Sequence, residues 1–148
     1  MSRRVFFSFH YQRDIWRINQ IRNIPMITGC PAAGFQDASL WERAKKKGDA
    51  AIKGLVDEGL KNTSVTVVFV GHKTASRKYI SYEINQSILR GNGLVAVQIH
   101  HLENKDGITD PHGPIPSKII SGGYMAYKYD GHEKLGRWIE NAAKKAGK

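Results

Sequence analysis

The residue with the clearest chemical potential is Glu83, in the segment SRKYISYEINQS. Ile80, Ile84 and Ile88 recur every four residues and mark the buried stripe of a helix. Glu83 falls about 60° from Ile80 on the helical wheel, on the flank of that stripe. Tyr79 is its i−4 neighbour and Ser87 its i+4 neighbour. A carboxylate so placed suits a cationic or hydroxyl-rich substrate. From wheel position alone the simpler reading is a solvated helix carboxylate paired with a nearby Lys or Arg. A second group lies in VFFSFHYQRD, where Ser8, Phe9, His10 and Arg13 follow an apolar run. Phe9 or Tyr11 offers a face for stacking, and Arg13 a guanidinium for a phosphate. The plainer alternatives are a core aromatic and a surface charge. Asp37 and Ser39 in DASLW read as helix caps. His100, His101, Glu103, Asp106, Asp110 and His112 are metal-ligating types. Their spacing matches no defined metal motif, so no metal site is expected. Neither a Walker loop nor GxGxxG occurs.

These groups need a scaffold, and the apolar runs describe one. VFFSF (5–9), VTVVFV (65–70) and LVAVQI (94–99) are short, apolar and rich in β-branched residues. Such runs suit strands buried on both faces, as in a parallel sheet. YMAYKY (124–129) alternates more and reads as a strand near an edge. Helical periodicity fills the gaps. A first helix is expected from Ile15, Ile18 and Ile21, with Asp14 near its N-cap and Pro25 as its stop. One long helix is expected over 40–60, weakened by Gly48 and Gly54. A third runs over 76–90 and the last over about 132–146. Ala33–Phe35 is the only stretch available for a short second strand, and 100–123 reads as a Pro/Gly-rich loop. The alternation predicts a single α/β domain over 1–148, with a mostly parallel sheet of flavodoxin-like order 2-1-3-4-5 and helices on both faces. In such sheets ligands bind beyond the carboxyl ends of the strands at the switch point. Ser8–Asp14 and Gly71–Glu83 both follow strands there.

Composition narrows the classes. The 148 residues, 41% hydrophobic and 24% charged, suffice for a core without disulfides. A single cysteine, Cys30, excludes a disulfide framework. No apolar run approaches the roughly 20 residues of a membrane span, and the start lacks a secretory signature. The expectation is a cytoplasmic protein without a membrane partner. Lys and Arg number 23 against 13 Asp and Glu, a net charge of +10. That balance suits anionic partners, whether nucleic acid, a membrane surface or phosphorylated small molecules, and does not itself choose between them; nucleic acid is not the expected partner.

VFFSFHYQRD, FQDASLW and SRKYISYEI together resemble the TIR domains of bacterial antiphage defence, and among them the TIR-like proteins of Thoeris systems. The resemblance spans roughly residues 3–100. It implies a flavodoxin-like TIR fold and cleavage of the nicotinamide–ribose bond of NAD. It also implies formation of a cyclic ADP-ribose isomer that activates a ThsA-type effector, after a phage-derived trigger. NAD is then substrate, with no resident cofactor. The family's catalytic glutamate maps onto Glu83 in Tyr82-Glu83-Ile84. Tyr79 takes the place of a Trp common before that glutamate. Ser8, Phe9, His10 and Arg13 form the other half of the site. Asp37 and Ser39 fall in a region that TIR domains use for gating and self-association. The alternative is a non-catalytic TIR adaptor or sensor acting by self-association.

Overall fold

A computed structural model describes residues 4–21 and 38–148. The chain runs β1 (Val5–Ser8), α1 (Tyr11–Ile21), α2 (Ala38–Lys47), α3 (Asp49–Leu60), β2 (Val65–Val70) and a 3-10 turn (Thr74–Ser76). It continues through α4 (Lys78–Leu89), β3 (Gly93–Gln98), a short α5 (Ser117–Ser121), β4 (Met125–Lys128) and α6 (His132–Lys145). The four strands form one sheet in the order β1-β2-β3-β4, every neighbouring pair parallel. This is the expected order without its second strand, because Ala33–Phe35 lies outside the described residues, as do Pro25 and Asp37.

Alternation along the strands sends side chains to opposite faces. Phe7, Val67, Phe69, Val95 and Val97 pack with Ile18 and Ile21 of α1 and Leu135 and Ile139 of α6. On the other face Val68, Val70, Leu94 and Ala96 meet Ile80 and Ile84 of α4 and Ile119 of α5. Phe6 meets Val56 and Leu60 of α3. Ser8 shares the parity of Phe6, so its side chain turns towards the α3–α4 face.

Several boundaries depart from expectation. The long helix over 40–60 is two helices. Gly48 stands between them at φ +106°, which an L side chain rarely adopts. Asp14 is not an N-cap. Helix α1 begins three residues earlier, because His10 caps it: its carbonyl accepts the Asp14 N–H at 2.9 Å and its Nδ1 accepts the Arg13 N–H at 3.4 Å. Ser39 lies inside the first turn of α2. Ile88 is 40% exposed instead of buried. It stands in the last turn of α4 and walls a surface groove. The 100–123 loop contains α5. β4 is an edge strand, paired with β3 on one side among the described residues. No helix among those residues is long and apolar enough to cross a membrane.

Candidate active site

The end of β1 and helix α4 define the site. Ser8 closes β1 and is fully buried. Glu83 lies midway along α4 and is 7% exposed. The Ser8 hydroxyl donates to Glu83 Oε1 at 2.7 Å. Burial pushes the Glu83 carboxyl up to about 8, against the opposing effect of the Ser8 hydrogen bond. No cation among the described residues enters that balance. Glu83 therefore carries its proton at neutral pH in the resting site. A buried, strongly perturbed carboxyl in a crevice is a mark of a functional group. The solvated-carboxylate reading of Glu83 does not describe this structure.

The rest of α4 is fixed by a buried polar chain. Ser87 Oγ donates to the Glu83 carbonyl at 2.7 Å and lies 2.7 Å from Thr66 Oγ1 on β2. Helix and strand are thus pinned one turn beyond the carboxyl, so the carboxyl's position is set by the sheet.

Phe9, His10, Gln12, Lys45, Arg77, Tyr79, Ile80 and Glu83 line one small cavity of about 20 Å³. That is room for roughly one water. Four expected residues thus meet around it: Phe9, His10, Tyr79 and Glu83, with Ser8 behind. Burial, then the charge of Arg77, lowers the His10 imidazole below its ordinary range. This agrees with a neutral ring whose Nδ1 accepts a hydrogen bond. Tyr79 donates its hydroxyl to Asp49 Oδ1 at 2.7 Å, at the start of α3. Lys78 and Lys53 crowd the same carboxylate at 2.7 and 3.2 Å.

Arg13 is not brought into the lining. Its guanidinium makes a two-pronged contact with Asp110, both bonds at 3.1 Å. Asp110 also meets Arg17 Nη1 at 3.2 Å, and Arg17 reaches Asp14 at 2.9 Å. Arg17 is buried and also donates to the carbonyls of Leu102 and Ile108. This network fastens the loop after β3 to α1. Asp37 lies outside the described residues, and Ser39 is known only by its place in α2. Gln12 and Arg77 belong to the lining and were not singled out from the sequence; Lys45 joins them from the basic run 45–47, which the sequence offers as a surface for phosphates or nucleic acid. Position in the two crevice segments was the available signal for Gln12 and Arg77.

The histidine-rich loop does not gather ligands. His100 packs edge-on against His101 and His112, with centroids 5.3 and 5.7 Å away, and Asp110 is held by the arginines. Among the described residues no three His, Cys, Asp or Glu side chains are placed to hold a metal ion. A larger groove of about 680 Å³ opens at the opposite pole of the sheet, between β3, β4 and α6. The carboxyl ends of α4 and α6 border it, and it contains no carboxylate.

Comparison with known proteins is specific. Residues 6–104 match the family described as "Thoeris protein ThsB, TIR-like domain". The chain is also similar to a protein of Bacillus cereus (strain MSX-D12) named "Putative cyclic ADP-D-ribose synthase ThsB1". The two are 44% identical over 151 aligned residues, covering 95% of this chain and 76% of that protein.

Proposed function

The chain belongs to the TIR-like domain family of the Thoeris protein ThsB, and on that premise we propose that it is a TIR enzyme that cleaves the nicotinamide–ribose bond of NAD and makes a cyclic ADP-ribose isomer. The isomer acts as the signal in antiphage defence that switches on a ThsA-type effector. The observation that carries this reading is the buried Glu83 carboxyl, held by Ser8 at the carboxyl end of β1.

The chemistry fits one carboxyl. In NAD the nicotinamide ring is a cation. As the glycosidic C–N bond breaks, its electron pair returns to the ring and nicotinamide leaves neutral. Positive charge develops on the ribose, in an oxocarbenium-like transition state. A cation entering the crevice stabilises the ionised form of Glu83, so the carboxyl gives up its proton on binding. The resulting anion faces the ribose as charge appears there, in a setting with little water to screen it. A nucleophile then adds to the anomeric carbon and loses its proton. Water gives ADP-ribose. An adenosine hydroxyl or ring nitrogen of the same molecule gives the cyclic product. Which outcome prevails depends on how the site folds the dinucleotide and excludes water. NAD is substrate, and this scheme uses no resident cofactor.

The test is product analysis of NAD incubated with wild type and with Glu83→Gln, by chromatography and mass spectrometry, and again in lysate from infected cells expressing each. A Glu83-dependent product with the mass of ADP-ribose less one water is the expected result. ADP-ribose alone makes the protein a hydrolase. No loss of NAD under either condition transfers the weight to the non-catalytic adaptor acting by self-association.

A further inference from the structure

The lining of the cavity around Glu83 is chemically mixed. Beside the buried carboxyl, which Ser8 holds from behind, it includes two cations: Lys45, from the last turn of α2, and Arg77, immediately before α4. Among the described residues neither cation has an ion pair. Asp49, the acid bound by Tyr79 of the lining, is already shared with Lys78 and Lys53. Nor do these cations serve Glu83, whose proton affinity responds to burial and to Ser8 and to no positive charge. The lining therefore holds two cations and one carboxyl that is neutral at rest. Unlike Arg13, which is committed to Asp110, they are available.

We infer that Lys45 and Arg77 bind the diphosphate of a dinucleotide substrate and so orient its ribose against Glu83. This rests on Glu83 being the reacting end of the site. The division of labour is physical. A diphosphate is a diffuse dianion, and a guanidinium and an ammonium meeting it from two elements fix both its place and its direction. The glycosidic bond, a few bonds away, is then delivered to the carboxyl in one orientation. The two cations lie on different elements, α2 and the turn before α4. The diphosphate therefore bridges across the mouth of the crevice.

The discriminating experiment compares substrates with and without the diphosphate. Arg77→Ala, Lys45→Ala and the double variant are assayed on NAD and on nicotinamide riboside, which keeps the scissile bond and lacks phosphate. Each single variant should lower kcat/KM on NAD by about 10–100-fold, as expected for loss of a charged hydrogen bond. On nicotinamide riboside the change should stay within about 2-fold. Arg77→Lys and Lys45→Arg should recover part of the loss on NAD. An equal fall on both substrates, or none on either, overturns the inference. Should wild type fail to cleave either compound, calorimetric titration with ADP-ribose at low salt decides separately. Binding by wild type that weakens at least 10-fold in the double variant and not in Glu83→Gln sustains the diphosphate site without the cleavage reading. Absence of binding by folded wild type overturns it.

Discussion

The Ser8 hydroxyl points its hydrogen at Glu83 Oε1 from 75 residues away in the chain, over 2.7 Å. The strand fixes the donor and the helix fixes the acceptor, so the pair registers how α4 lies against β1. It is also the one interaction that draws the carboxyl towards ionisation while burial drives it the other way. Ser8→Ala removes that pull. The Glu83 carboxyl should then ionise at still higher pH, and NAD turnover at neutral pH should fall by about 10-fold or more. A pH–rate profile checks this, with its limb displaced to the alkaline side. An unchanged profile would separate Ser8 from the chemistry.

Stability should depend on pH through the same carboxyl. In the unfolded chain it ionises near its ordinary value of 4.5, and in the fold near 8. Between those values the folded state holds the extra proton, so raising the pH favours unfolding. Each unit of separation corresponds to about 1.4 kcal/mol. Glu83→Gln keeps the shape and removes the titration. The variant should match wild type near pH 4 and become more stable by a few kcal/mol above pH 8. Urea denaturation at several pH values measures the gap, and parallel curves would show that Glu83 ionises normally in the fold.

Gly71 leaves β2 directly against Asp14. A Cβ there would sit 2.3 Å from Asp14 Oδ2. That carboxylate cannot swing away freely, because Arg17 grips its other oxygen at 2.9 Å. Gly71→Ala should cost about 1–3 kcal/mol through overpacking. Thermal unfolding reads it directly, and an unchanged melting temperature would mean that α1 yields easily.

Arg17 should be far less replaceable than its neighbour Arg13. Its loss strands the Asp14 carboxylate and two carbonyls at once and takes one of two cations from Asp110. Arg17→Ala is expected to destabilise by about 3–5 kcal/mol, as breaking a buried pair does. Arg13→Ala removes one of two partners of Asp110 near the surface and should cost about 1 kcal/mol or less. Paired urea titrations compare them, and equal losses would contradict the assigned roles.

How much of this was legible beforehand follows from where the information lies. Apolar runs at 65–70 and 94–99 announce strands buried on both faces, since few other structures bury so many consecutive side chains. Glu83 was visible as a flank position, and a resemblance to TIR domains raised it to a catalytic candidate. Its partnership with Ser8 was not visible, because the parity of a strand shows only which residues share a face. Gly48 was noticed as a weak point in a helix, but its positive φ is decided by how α2 and α3 pack. Arg13 looked free because its carboxylate lies 97 residues away. Lys45 was hidden among three consecutive lysines, of which only that one faces the crevice.

Among the described residues no cation is bonded to Glu83, and this has a thermodynamic corollary. A site that rests neutral and works ionised must expel a proton when its cationic substrate arrives. Substrate uptake is then an acid-releasing event. The heat of binding would vary with the ionisation enthalpy of the buffer, and affinity would strengthen as the medium becomes more alkaline, up to the point where the carboxyl is already bare. Acidification would accordingly weaken the grip on the dinucleotide without any change in its concentration.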